Sequence, residues 1–215
     1  MRAIIVAGGY SSDADGWRRW ATDADLIVGA NGGAAQALAW GLWPHVVIGD
    51  LDSLPDETRA MLAAAGREFV VHPRAKDETD LELAVTYVVE RGYRDIVILG
   101  ALGGRLDHLL ANILLLTLPR FAAARIRIAD GAQDAVLLRG GEAIELQGLP
   151  GDVISLLPLG GDAHGVTTRG LAWTLMGDTL QFGATRGVSN EITAPSACIE
   201  LETGCLLIIH GPQPE

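Results

Sequence analysis

Val47-Ile48-Gly49-Asp50-Leu51-Asp52-Ser53 sets two carboxylates two residues apart, directly behind a short apolar run that reads as a buried strand. In an open α/β sheet, ligands bind beyond the carboxyl ends of the strands. An Asp-x-Asp on extended backbone keeps both side chains on one side, where a hard cation can lie between them and the oxygens of a phosphate. The same residues also suit a helix start, with Asp52 or Ser53 as the cap of a helix opening near Pro55. The neighbouring sequence has to separate these two readings.

Outward from this stretch, residues 1–139 alternate short β-branched runs with longer segments of helical period, the pattern of a mostly parallel sheet flanked by helices. Strands are expected at Ala3–Ala7, Leu26–Gly29, Val46–Ile48, Glu68–Val71, Ile96–Leu99 and Arg125–Ala129. Leu81, Ala84, Val85 and Val88 recur at helical spacing, and Thr79 with Glu82 forms a capping box. The next helix, Leu106 to Leu118, is apolar nearly all round and is expected to be buried. Gly140-Gly141 then interrupts the chain, and residues 140–215 lose the helical period. Their short alternating runs, Asp152–Leu157, Ala197–Leu201 and Leu206–His210, predict an all-β sandwich as a second domain.

Composition excludes several functions. With 49% hydrophobic residues in 215, the chain has ample material for a core. A formal net charge of −11 argues against a sequence-independent nucleic-acid binder, which needs a basic surface to release counterions. The apolar run after Met1 is too short for a signal-peptide core, and no run reaches the length of a membrane span. Cys198 and Cys205 flank a turn at 202–204 and read as buried thiols of a cytoplasmic protein.

Two further loops carry chemistry. Arg74-Ala-Lys76-Asp77-Glu78-Thr79-Asp80 follows the fourth expected strand and opens a helix. Asp77 and Asp80 favour the helix dipole, and the cations beside them add a means to hold a metal together with its phosphate ligand. Leu99-Gly100-Ala-Leu-Gly103-Gly104-Arg105-Leu-Asp107-His108 follows the fifth. Its glycines permit close backbone approach, Arg105 offers a fork of donors, and His108 and Asn112 share one helical face. Asp50, Asp52, Asp77, Asp80 and Asp107 thus gather at three consecutive strand ends. Like charges a few ångströms apart cost several kcal/mol at an effective dielectric of about 20. Carboxylates so placed near a polyphosphate imply Mg²⁺, bound through a few carboxylates, phosphate oxygens and waters.

Gly49-Asp-Leu-Asp-Ser53, Lys76-Asp-Glu-Thr-Asp-Leu-Glu-Leu-Ala84 and Gly100-Ala-Leu-Gly-Gly-Arg-Leu-Asp-His108 resemble the three signatures of the thiamine pyrophosphokinase family. Thr168-Arg-Gly-Leu-Ala-Trp173 and Val188-Ser-Asn-Glu191 resemble its Gly-Leu-x-Trp and Ser-Asn elements, so the likeness runs through nearly the whole chain in order. It implies transfer of pyrophosphate from ATP to thiamine, giving thiamine diphosphate and AMP, in a homodimer with active sites between subunits. It also implies catalytic roles for the five aspartates, with Asp50, Asp52, Asp77 and Asp107 on magnesium. Asn31, Lys76, Gly103, Gly104, Arg105 and His108 would face ATP, and Asp80, Trp173, Ser189 and Asn190 thiamine. One departure stands out: Asn31 precedes paired glycines where the family commonly has Asp, which removes a charge and adds donors.

Four other readings compete. A pyrophosphokinase of this architecture can serve another acceptor, such as a hydroxymethylpterin. A non-catalytic thiamine-binding module would leave the metal and phosphate residues unexplained. An aspartyl-phosphate hydrolase would place its nucleophile after the first strand, and Gly8-Gly9-Tyr-Ser-Ser lacks the spaced glycines of a dinucleotide site.

Overall fold

The computed structural model describes residues 1–9 and 15–213; Tyr10, Ser11 and Ser12 of the stretch weighed against a dinucleotide fingerprint lie outside them. The chain divides into two compact units, Met1–Gly131 and Ala132–Glu215.

The first unit is α/β. Its strands are β1 (Arg2–Val6), β2 (Leu26–Ala30), β3 (Val46–Gly49), β4 (Glu68–Val71), β5 (Asp95–Leu99) and β6 (Arg125–Asp130). Its helices are α1 (Gly33–Ala39), α2 (Asp56–Ala64), α3 (Asp80–Glu90) and α4 (Leu106–Leu115). The strands pair in parallel in the order β6-β5-β1-β2-β3-β4, and each expected strand is present within a residue or so of its expected ends. β1, β3 and β5 are buried along almost their whole length, as strands covered on both faces must be. Ile4, Val6, Val97 and Leu99 pack with Trp17 and Ala37, while Val47 packs with Ala34, Leu51, Leu54 and Leu62. The Thr79 hydroxyl accepts from the Glu82 N–H at 3.2 Å, which caps α3 at its first turn.

Two expectations need correction here. α4 is not buried all round: Leu115 alone of its residues is buried, and Leu106, Leu110 and Leu114 form an exposed row at i, i+4, i+8 spacing. Apolar content alone does not distinguish a leucine facing a sheet from one facing outward. The division between units also falls eight residues before 139, because Gln133–Arg139 is a strand of the second unit.

That strand, β7, is followed by β8 (Ala143–Gln147), β9 (Val153–Pro158), β10 (Ala163–Arg169), β11 (Met176–Leu180), β12 (Asn190–Glu191), β13 (Ser196–Glu200) and β14 (Cys205–Gly211). Antiparallel pairing gives two sheets, β12-β9-β14-β7 and β11-β10-β13-β8. Burial alternates along β8, β9 and β13, and their inward residues join Val136, Leu180 and Ile208 in one core, the pattern of a sandwich.

Candidate active site

The end of β3 is the centre of the first unit's site. Gly49 has a φ of +146°, and a Cβ there would lie 2.9 Å from the Asp80 carboxyl carbon and 3.1 Å from Asn31 Cβ. Only glycine lets these loops close together. Asp50-Leu-Asp52 is not extended, contrary to expectation. Leu51 takes the left-handed conformation at φ +64° and is buried, and the Asp52 N–H donates to Asp50 Oδ1 at 3.1 Å. Burial of the leucine drives this turn, which brings the carboxylates together by folding the chain. The helix expected to open near Pro55 is present as α2 from Asp56, but neither Asp52 nor Ser53 caps it: Pro55 holds the cap position, with no side-chain cap bond.

Asn31, after β2, joins the loops. Its Nδ2 donates to Asp50 Oδ1 at 2.9 Å, Asp52 Oδ1 at 3.1 Å and Asp80 Oδ2 at 2.8 Å. Lys76 Nζ lies 2.8 Å from Asp80 Oδ1 and 3.7 Å from Asp50 Oδ2, with all three side chains largely buried. Burial pulls the lysine pKa down, but Asp80 and Asp50 together outweigh it and hold it above its ordinary value. The Asp52 carboxyl is held below the usual range by the Asn31 and Ser53 hydrogen bonds and, less strongly, by Asp50 and Arg74. Asp50, Asp52 and Asp80 therefore form one cluster of carboxyl groups with Lys76 as its nearest basic side chain.

A cavity of about 530 Å³ opens beside the cluster, bordered by Gly8, Gly9, Asn31, Asp80, Arg105 and His108. Gly103 and Gly104 also line it, both at positive φ, and Asn112 closes one side by donating to the Ala101 carbonyl at 2.8 Å. Asp107 turns away to pair with Arg105 at 2.6 Å, which lowers its pKa to about 2. Asp77 is exposed and joins none of these bonds. Thus the structure gathers three of the five expected aspartates and not Asp77 or Asp107. The Gly8-Gly9 loop after β1 was missed as part of the site, although paired glycines behind a first strand were the available signal. Ser53, whose hydroxyl donates to Asp52 at 3.0 Å, was also missed as a support.

The donor chemistry suits a hard cation, since every charged ligand here is a carboxylate oxygen. Among the described residues no group of three or more His, Cys, Asp or Glu side chains is set to hold a metal ion by itself.

In the second unit, Asn190 accepts from the Trp173 N–H at 3.1 Å and donates to the Trp173 carbonyl at 2.7 Å. Both amide atoms are thereby engaged by backbone, and the indole is left 60% exposed. Ser189 has φ +61°, and its N–H donates to the Ser155 hydroxyl at 3.1 Å. The two expected substrate motifs are therefore one structural unit that presents the Trp173 face.

Residues 17–128 match the family model described as thiamin pyrophosphokinase, catalytic domain, and residues 143–206 match thiamin pyrophosphokinase, vitamin B1 binding domain. A thiamine pyrophosphokinase of Bacillus subtilis is 29% identical over 212 residues, covering 98% of this chain and 99% of the relative. The crystal structure of thiamine pyrophosphokinase from Bacillus subtilis superposes with a TM-score of 0.89 at 27% identity, covering 100% of both chains. That of Geobacillus thermodenitrificans gives 0.86 at 28%, covering 100% of this chain and 99% of the other. With both domains matched in order and the fold shared over its full length, the chain belongs to the thiamine pyrophosphokinase family.

Proposed function

We propose that this chain transfers the pyrophosphoryl group of ATP to the hydroxyl of thiamine, releasing AMP, and that magnesium accompanies the ATP. The observation that carries the proposal is the convergence of Asp50, Asp52 and Asp80 beside a cavity of nucleotide size in a chain of this family. One or two carboxylates of that cluster would hold the ion, which when bound neutralises charge on the triphosphate. Asp77 and Asp107, also expected on magnesium, lie outside that cluster: Asp77 is exposed and Asp107 pairs with Arg105.

The protein's own contribution is positioning and charge. In-line attack on a phosphorus needs the nucleophile and leaving group held in one geometry, with developing charge met by fixed donors. Lys76 holds Asp50 and Asp80 in place, and Arg105 at the cavity edge, its fork paired with Asp107 here, would exchange that partner for phosphate oxygens. Glycine backbone at Gly103 and Gly104 admits the ligand closely. Trp173 offers an exposed aromatic face to a cationic ring, worth roughly 0.5–2 kcal/mol.

Purified protein given ATP, thiamine and Mg²⁺ should release AMP in step with thiamine diphosphate, read by chromatography. ADP as the product would refute pyrophosphoryl transfer, and faster turnover with a hydroxymethylpterin run in parallel would replace the acceptor. The exposed row of Leu106, Leu110 and Leu114 supports a homodimer, because such a row is usually covered by a partner. Light scattering should give twice the mass of the 22.6 kDa chain, and Leu110→Glu should reduce that mass by half if α4 carries the contact.

A further inference from the structure

Asp50 and Asp52 come from the loop after β3 and Asp80 is the first residue of α3, and one neutral side chain touches all three. Asn31 is buried at 8% exposure and holds the left-handed conformation at φ +48°, which Asn enters more readily than most residues. Its orientation is set on the other side as well: the Ser53 N–H donates to Asn31 Oδ1 at 3.3 Å, so the amide hydrogens face the acids. Lys76 reaches Asp50 and Asp80, whereas Asp52 depends on Asn31, Ser53 and an exposed Arg74 at 3.7 Å.

We propose that Asn31 is the positioning residue of the acidic site. It gathers the three carboxylates at one point before a divalent cation arrives, and because it adds no charge it keeps that gathered state stable without metal. The metal half of this inference rests on the magnesium reading above; the metal-free half does not. Two substitutions separate the parts. Asn31→Asp keeps shape and backbone preference but replaces a donor with a fourth carboxylate. Asn31→Gly removes the amide and keeps the left-handed backbone free of strain.

The test is thermal melting of the full chain and both variants, without divalent ions and across a MgCl₂ titration, with no nucleotide present. Asn31→Asp should melt about 5 °C or more below the parent without metal, and Mg²⁺ should recover most of that loss. Asn31→Gly should need roughly tenfold more Mg²⁺ for half of its stabilisation, as for other residues that orient metal ligands. A purely structural role would lower melting at every Mg²⁺ concentration and leave that midpoint in place, which overturns the positioning role. Parent-like melting of metal-free Asn31→Asp overturns the neutral-donor role. A parent protein whose melting ignores Mg²⁺ overturns the magnesium reading, while the metal-free comparison still decides the role of Asn31.

Discussion

Two clusters in this chain have the same make-up, a basic side chain between two aspartates, and opposite settings. Lys76 lies between Asp50 and Asp80 on loops at strand ends, where Asn31, Gly49 and Leu51 all have positive φ and a cavity opens alongside. His210 lies between Asp134 and Asp152, at 3.5 and 3.6 Å, on paired extended strands where it stands directly across from Asp134. The residue types alone do not separate a reacting site from a structural one. Stored backbone strain and concavity do, and both belong to the first cluster.

Removing the basic group from each cluster should therefore have unlike consequences. Lys76→Met should lower turnover by about 10²–10³-fold, the loss seen when one preorganised donor leaves a charge-stabilising site. Steady-state rates at saturating ATP and thiamine measure it. A variant within a fewfold of the parent would place Lys76 with the structural ions and erase the contrast.

Backbone strain gives a second, smaller test. Gly49→Ala forces a Cβ to 2.9 Å from the Asp80 carboxyl carbon at a φ of +146° that alanine rarely adopts. The substitution should cost about 1–3 kcal/mol in chemical unfolding. Turnover should fall about tenfold or more as Asp80 is displaced, since small misplacements are costly in rate. An alanine variant with parent stability would show that the loop relaxes freely and that strain does not mark this cluster.

Much of the first unit was legible because its signals are local. Buried β-branched runs announce parallel strands, and Thr79 caps α3 through a bond to a residue three positions away. The convergence on Asn31 was not legible, since it depends on left-handed turns at residues 31 and 51 and on three loops brought together by strand register. For the same reason spacing did not show that Asp77 stays exposed or that Asp107 turns to Arg105, because each loop offered several acids and only packing chooses among them. In the second unit, Trp173 and Asn190 were named separately; their mutual bonds join residues on two segments, which sequence order does not reveal.

His210 gives the remaining test, and its sign follows from its surroundings. Asp134 chiefly, with Asp152 beside it, raises the imidazole pKa above its ordinary 6.5, against burial, which works to lower it. A group whose pKa rises on folding binds its proton more tightly in the folded chain. Its stabilisation is complete below pH 6.5 and fades as pH climbs through the higher folded value. His210→Gln should thus lose about 1–3 kcal/mol near pH 6, the scale of one partner removed from a buried charged contact. The gap between parent and variant should narrow toward pH 9, with turnover of the folded enzymes alike throughout. A gap that widens with pH would mean that His210 is neutral between its aspartates at pH 6, and a lost rate would move this cluster into the catalytic machinery and remove the distinction drawn from strain and concavity.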